Sequence, residues 1–298
     1  MISRFIADTM IKPHQSPLFD DPGAYGLDYE DVTFQAADGV TLSGWLIKGS
    51  TDKVVIQSHF GVMCCRAGYT PEGRGFMSPY PDAIQFLRQA KYLNEAGYTV
   101  LMYDFRNHGE SDRGTIPWVT WGPEESKDIV AAVEFITRHE DYADASIGLF
   151  SICMGQGAST GAFGMEQGLS GYDNLKCMIS VQPMDYPTFE RALGLPGFLA
   201  KGVRKVIEKR TGMDFAKSSW VPNIKAINVP TLVIQNENDG YLDRAFIDAY
   251  YETLTVEKEM LWVDIPVQRK DAFHNRAAAY VWIGENPDPI LRWFGTYL

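Results

Sequence analysis

A cysteine at position 153 lies in the stretch of the chain whose residue types and spacing best suit covalent chemistry. The apolar residues 147–150 predict a strand, and the small residues 158–162 can begin a helix. Between them stands Ser151-Ile-Cys153-Met-Gly155, in which small residues occupy the positions two before and two after the cysteine. This pattern is typical of a nucleophile elbow, a tight strand-to-helix turn that strains the backbone and excludes bulky neighbours. The alternative is a buried cysteine that packs as a small hydrophobic residue.

Length, charge and cysteine content limit the class of protein that carries this stretch. The 298 residues are 45% hydrophobic, which is enough for one large core, and we predict a single domain over residues 1–298. The formal net charge is -11 and no basic cluster is evident, so we expect neither a nucleic acid nor a membrane as a partner. Cys64, Cys65, Cys153 and Cys177 have no spacing that suggests zinc. We therefore expect reduced thiols, no metal, no cofactor and a cytoplasmic location.

Strands and helices alternate along the rest of the chain and must position this cysteine. An Asp38-Gly39 turn within residues 32–47 predicts a hairpin. Apolar runs predict further strands at residues 53–57, 98–104, 177–181, 230–235 and 259–263, and amphipathic patterns predict helices at 81–96, at 124–138 and from 288 onward. The alternation predicts an α/β fold with a mainly parallel sheet that helices cover on both faces.

Five motifs in this order resemble those of the α/β-hydrolase family, and the resemblance runs from about residue 32 to the C-terminus. The motifs are His59-Phe60-Gly61, the turn at residues 103–111, Ser151-Ile-Cys153-Met-Gly155, the strand and turn that end in Asp239-Gly240, and Phe273-His274. Phe60 and Asn107 stand where the family usually has glycine. A cysteine nucleophile is a minority choice in the family, and the dienelactone-hydrolase-like members are examples that have it.

The resemblance implies a Cys153, His274 and Asp239 triad. In such a triad, His274 would take the thiol proton and later protonate the leaving group, while Asp239 would orient the imidazole. Asp243 is close in sequence, but the family turn favours Asp239. The backbone N–H groups of Met154 and of Phe60 or Gly61 would form the oxyanion hole.

The segment between the strands at 177–181 and 230–235 contains no strand-like run. Short helices are predicted there at residues 189–193 and 202–209. We predict that residues 185–223 form a small helical cap over Cys153, and the alternative is an ordinary long crossover. Apolar side chains of this segment suggest a hydrophobic acyl pocket, and the alternative is that they belong to the core: Phe189, Leu193, Leu195, Phe198, Leu199 and Trp220.

These observations favour a hydrolase that cleaves an ester, thioester or lactone through an acyl-cysteine intermediate. Its partner would be a small-molecule acyl substrate, either hydrophobic or linked to a carrier. An acyltransferase or cyclase that uses the same intermediate is the second hypothesis, because a thioester also reacts with amines, alcohols and carbanions. A non-catalytic binding protein that has kept the fold is the third. The sequence does not distinguish hydrolysis from transfer, since exclusion of water depends on the cap.

Overall fold

A computed structural model of the protein describes residues 1–72, 80–267 and 271–298. The strands in chain order are β1 Tyr29–Gln35, β2 Thr41–Ile47, β3 Lys53–Ser58, β4 Gly68–Tyr69, β5 Ile84–Gln85, β6 Thr99–Tyr103, β7 Ser146–Ile152, β8 Leu175–Val181, β9 Thr231–Asn236 and β10 Lys258–Val263. The helices are α1 Ile2–Ile11, α2 Leu87–Glu95, α3 Ser126–Arg138, α4 Met154–Phe163, α5 Tyr186–Ala192, α6 Gly197–Thr211, α7 Arg244–Thr253, α8 Ala272–Glu285 and α9 Asp288–Tyr297.

Within the described residues, eight of these strands form one sheet in the order β1-β2-β6-β3-β7-β8-β9-β10. The pairings from β6 through to β10 are parallel, whereas β2 runs antiparallel to both β1 and β6. The predicted hairpin is confirmed, and Gly39 adopts the left-handed φ of 84° that its turn requires. The mainly parallel sheet predicted from the alternation of elements is likewise confirmed.

Alternate residues of the central strands enter two different apolar cores, one on each face of the sheet. In β3, Val54 and Ile56 pack with α3 and α4, whereas Val55 packs with α2, α8 and α9. Such strands are buried on both faces, and their sequences are therefore continuously apolar instead of alternating between apolar and polar residues. No helix within the described ranges is long and apolar enough to cross a membrane.

The prediction of a helix at residues 81–96 is wrong for residues 81–86. Ile84–Gln85 forms β5, which pairs with Gly68–Tyr69, and α2 begins only at Leu87. The apolar spacing suits a helix, but pairing with a distant segment determines the conformation of Ile84. This override of local preference by tertiary contacts is common for short segments.

Helices α1, α7 and α8 were not predicted. Helix α1 buries Ala7, Met10 and Ile11 against a third apolar cluster that contains Val203 and Ile207 of α6. The segment predicted as a cap, residues 185–223, contributes α5 and α6 to this cluster. Its function as a cover stays a prediction.

Candidate active site

Cys153 occupies the turn between β7 and α4 with a strained backbone. Its φ of 52° and ψ of -103° lie outside the regions that non-glycine residues ordinarily adopt. A Cβ atom on Gly155 would lie 2.4 Å from Ser58 Oγ, so that position requires a residue without a side chain. Ser151, two residues before Cys153, is buried, and its Oγ forms a 2.8 Å hydrogen bond with Ser159 Oγ. The local geometry is therefore that of an elbow, with a cysteine at its centre.

Together with Tyr280, Arg276 contacts the side chain of Cys153. Its Nη2 lies 3.3 Å from Cys153 Sγ and also donates a 2.9 Å hydrogen bond to the backbone oxygen of Gln182. Its Nη1 donates a 2.6 Å hydrogen bond to Asp239 Oδ2. The guanidinium thus bridges the cysteine and the carboxylate, and its side chain is only 5% exposed. We expect its orientation to be well defined because all three contacts are short.

Asp239 follows β9 in a turn that packs against the start of α8. A Cβ atom on Gly240 would lie 2.2 Å from Cα of Ala272, so glycine permits this close approach. Asp239 Oδ1 accepts a hydrogen bond from the N–H of Tyr241, and Oδ2 accepts a second bond from Gln235 Nε2. Burial alone would lower the pKa of Arg276, but the Asp239 carboxylate outweighs burial and raises that pKa well above its ordinary value. Arg276 is consequently a fixed positive charge.

His274 is not part of this contact network. Its ring lies 4.9 Å from the ring of Tyr80, and it lines a separate cavity with Asn275 and Trp282. Its Nδ1 is buried and makes no hydrogen bond to any described residue. The structure therefore brings Cys153 and Asp239 together through Arg276, and it does not bring His274 to either of them. Asp243, the rejected alternative acid, caps α7 and pairs with Arg191.

The beginning of α8 explains this arrangement. Asp271 caps the helix by accepting a hydrogen bond from the N–H of His274, so His274 lies in the first helical turn instead of in a loop. Residues two apart on a helix point about 200° from each other, so His274 and Arg276 cannot face Cys153 together. Phe273, Arg276 and Tyr280 share the face that lines the Cys153 cavity. Their spacing of three and four residues is the signal in the sequence that could have identified Arg276.

The cavity beside Cys153 is almost wholly apolar and has a volume of about 370 Å³. Arg276 is the charged side chain among the described residues that line it. The apolar wall comes from α1 (Ile6 and Met10), from loops (Phe60, Val62, Met63 and Trp121), from the region of α5 (Met184, Phe189, Leu193 and Leu195) and from α8 (Phe273). Trp121 Nε1 donates a hydrogen bond to the backbone oxygen of Met10, which fixes α1 against the cavity. A site with this lining suits a hydrophobic ligand group.

The residues predicted for the oxyanion hole lie close to Cys153. Phe60 and Gly61 line the same cavity, and the Phe60 ring stacks on Tyr280 with 4.5 Å between ring centroids. Met154 is the first residue of α4, where helical N–H groups have no partner within the helix. His59 holds this loop, since its Nε2 accepts a hydrogen bond from the N–H of Phe105. Burial lowers the pKa of His59 well below its ordinary value, so we expect it to be neutral and structural.

Only part of the predicted acyl pocket lines the cavity. Phe189, Leu193 and Leu195 do so. Trp220 instead lies in the core on the other face of the sheet and is 3% exposed, while Phe198 is 81% exposed. Leu199 does not line the cavity either. The prediction was wrong for these three residues because apolar composition does not distinguish a cavity wall from a core or from an exposed face.

Comparisons with known proteins give a distant relative in sequence and many neighbours in fold. No protein-family profile matches the chain. Thiohydrolase aneE of Aspergillus aculeatus is 24% identical over 207 residues, which cover 67% of this chain and 57% of that protein. The chain thus matches little more than half the length of this curated relative.

The solved structures match nearly the whole chain. The Pyrococcus furiosus esterase Pf2001 superposes with a TM-score of 0.69 and 22% identity, over 97% of this chain and 98% of that one. The α/β hydrolase GrgF from Penicillium superposes with a TM-score of 0.56 and 18% identity, over 89% and 99% of the two chains. Together with the strand order and the elbow, these matches identify the architecture of this chain as the α/β-hydrolase fold.

Proposed function

We propose that the protein is a hydrolase that cleaves an ester, thioester or lactone of an apolar acyl group through an acyl-Cys153 intermediate. The observation that carries the proposal is the strained Cys153, which lines an apolar cavity beside a buried guanidinium. A thiolate is the reactive form of cysteine, and an adjacent cation favours it. Strained residues cluster at catalytic sites, whereas a structural cysteine has no need of such a conformation.

The comparisons support a hydrolytic enzyme without identifying its substrate. The Aspergillus relative is named a thiohydrolase and the Pyrococcus neighbour an esterase, and both names describe acyl cleavage. At this level of identity, a shared fold alone does not establish a shared reaction. The strained Cys153 beside Arg276 is therefore the main support for hydrolysis, and the names of similar proteins add to it.

The triad predicted from the sequence requires His274 as the base, and this role stays a prediction. His274 would have to leave its present cavity, and the first turn of α8 would have to rearrange for its ring to reach Cys153. Cys153 as nucleophile and Asp239 as the buried carboxylate need no such rearrangement. The nucleophile can therefore be tested independently of the base.

Acyl transfer or cyclisation on the same acyl-Cys153 intermediate is the second candidate. Two observations favour it: the cavity wall is apolar, and no imidazole of the described residues faces Cys153 to activate water. An acyl-cysteine in such a site would persist until it reacts with an acceptor that is nucleophilic enough to attack without activation by a base. Hydrolysis and transfer would then share the first step and differ in the second.

The test is covalent trapping with octanoyl chloromethyl ketone, followed by peptide mapping. We expect the adduct at Cys153 in the wild-type protein and none there in Cys153→Ala. Cys177→Ala is the matched control, because Cys177 is fully buried in β8 and does not line the cavity. Thioesters and p-nitrophenyl esters of graded chain length, assayed for free acid and for transfer product, would then separate the two candidates. Absence of a Cys153 adduct would leave a non-catalytic binding protein as the better hypothesis.

A further inference from the structure

We propose that Arg276 is a catalytic residue that holds the Cys153 sulfur as a thiolate, and that its presence in place of an imidazole restricts the enzyme to thioesters. The inference rests on the proposed acyl-Cys153 chemistry and adds to it a residue and a substrate class. The Arg276 guanidinium contacts the Cys153 sulfur, the Asp239 carboxylate and the backbone oxygen of Gln182.

The guanidinium is positioned as a fixed counter-charge for sulfur. Nη2 lies 3.3 Å from Cys153 Sγ, and Nη1 is anchored 2.6 Å from Asp239 Oδ2. Gln182 fixes it further: its backbone oxygen accepts a bond from Arg276 Nη2, and its side chain donates to the Arg276 backbone oxygen. Asp239 keeps the buried cation compensated whether or not Cys153 is charged. The sulfur can therefore gain and lose its charge during turnover without a rearrangement of Arg276.

Arginine differs from histidine in one chemical respect that matters here. An imidazole accepts and donates protons near neutral pH, whereas a guanidinium stays protonated in proteins and transfers none. Arg276 can thus stabilise a Cys153 thiolate whose proton has passed to bulk water. It cannot deliver a proton to a leaving group.

The first step is balanced without any proton transfer when the substrate is a thioester. The Cys153 thiolate attacks the carbonyl carbon, a new C–S bond forms, and the original C–S bond breaks. The electron pair of that bond leaves with the departing sulfur as a second thiolate, so one thiolate replaces another. An oxyester would instead release an alkoxide, which is strongly basic and requires protonation as it leaves.

The second step returns the charge to Cys153. Hydroxide attacks the acyl-Cys153 carbonyl, the C–S bond breaks, and the carboxylic acid leaves while the sulfur departs as a thiolate beside Arg276. A thiolate acceptor would react in the same way and would give a new thioester. Both routes release Cys153 in the charged form that Arg276 stabilises, so neither requires protonation of the departing sulfur.

Two phenols among the described residues that line the cavity, Tyr241 and Tyr280, could serve as proton donors, and Tyr280 interacts with Cys153. Its hydroxyl is buried, it lines the same cavity, and burial raises its pKa well above the ordinary value. If either phenol protonated an alkoxide, the restriction to thioesters would fail. Tyr280→Phe and Tyr241→Phe separate the two cases, because neither substitution should change the preference for a thioester over the matched oxyester.

The first experiment compares one acyl group on two leaving groups. Octanoyl-N-acetylcysteamine is the thioester, and the octanoyl ester of N-acetylethanolamine is the matched oxyester. We expect kcat/KM to favour the thioester by about 100-fold or more, the range that general acid catalysis ordinarily supplies. Comparable values for the two substrates, or a Tyr280→Phe or Tyr241→Phe variant that loses oxyester activity alone, would overturn the restriction.

The second experiment measures the reactivity of the sulfur directly. Arg276→Gln should slow alkylation of Cys153 by neutral iodoacetamide by about tenfold or more, because a charge-assisted hydrogen bond to the thiolate is lost. Arg292→Gln is the matched control, since Arg292 forms an exposed pair with Glu259. Alkylation in Arg276→Gln at the wild-type rate would overturn the role of Arg276, as would a loss of turnover in His274→Ala that Arg276→Gln does not share.

A double variant distinguishes catalysis from support of the fold. Arg276→Gln alone leaves the Asp239 carboxylate buried without its cation, which can unfold the protein. Asp239→Asn combined with Arg276→Gln removes both charges, so we expect thermal stability to recover while alkylation and thioester cleavage stay low. Recovery of activity along with stability would mean that Arg276 only compensates Asp239. If the wild-type protein gives no Cys153 adduct, the proposed function itself fails, whereas a normal adduct with an unaffected Arg276→Gln refutes only this inference.

Discussion

Replacement of Trp220 with alanine tests whether this side chain belongs to the core or to the acyl pocket. The indole packs directly on the helix that follows Cys153, since a Cβ atom on Gly157 would lie 2.4 Å from its Nε1. The rings of Phe246 and Tyr250 meet it edge-on, each with 6.1 Å between ring centroids. Trp220→Ala would therefore leave a large void between α4 and α7.

The size of the expected effect follows from this burial. Trp220 is 3% exposed, and truncation of a buried tryptophan to alanine typically costs about 3–5 kcal/mol of unfolding free energy. For a chain of this size, such a loss lowers the melting temperature by about 5 to 8 °C. The cavity beside Cys153 does not include Trp220, so acyl-chain preference should not change.

The assay combines calorimetry with kcat/KM for thioesters from acetyl to dodecanoyl. Phe189→Ala is the matched variant, because Phe189 lines the cavity and stacks on Trp121 with 4.9 Å between centroids. It should shift the preference towards longer or bulkier acyl groups with a smaller loss of stability. A Trp220→Ala protein that melts normally but changes its chain-length preference would refute the assignment of Trp220 to the core.

Other substitutions test the nucleophile, the elbow and the Asp38 carboxylate, which forms two ion pairs. Cys153→Ala should abolish turnover and keep the fold, whereas Cys153→Ser should be slow because a hydroxyl needs more base assistance than a thiol; steady-state rates and circular dichroism measure both. Gly155→Val should destabilise the elbow, since its Cβ would clash with Ser58, and a normal melting curve would contradict this. Burial alone would raise the pKa of Asp38, but Arg106 and Lys127 outweigh burial and lower it to about 2. That carboxylate should therefore stabilise the fold above about pH 4, by about 1 kcal/mol after solvent screening, and lose this contribution as the pH falls towards 2. Urea unfolding of wild type and Asp38→Asn at pH 5 and pH 3 should give a smaller difference at the lower pH.

The elbow was predictable from the sequence because its requirements are local. A tight turn between a strand and a helix excludes large side chains. The small residues Ser151 and Gly155 on either side of Cys153 are therefore visible in the sequence itself. The central strands were predictable for a related reason. Burial on both faces demands continuous apolar runs, and these are visible without knowledge of the partner strands.

The wall of the cavity could not be derived in this way. Ile6 and Met10 lie nearly 150 residues from Cys153 in sequence, and they line its cavity because α1 packs against α6. The residues of the predicted cap are apolar whether they line the cavity, as Leu193 does, or belong to the core, as Trp220 does. Their different positions depend on which neighbours surround them after folding.

The sequence by itself determined the α/β architecture, the elbow and the presence of an acidic residue after β9. The tertiary structure decided which cation meets that carboxylate. His274 and Arg276 are two residues apart, and the choice between them depends on where α8 begins and on the rotation of its first turn. Capping by Asp271 and the close approach of Gly240 to Ala272 fix that rotation, so Arg276 turns towards Asp239 and Cys153 while His274 turns away. Packing between distant segments determines the rotation of α8. The order of motifs along the sequence therefore does not predict which of the two side chains faces Cys153.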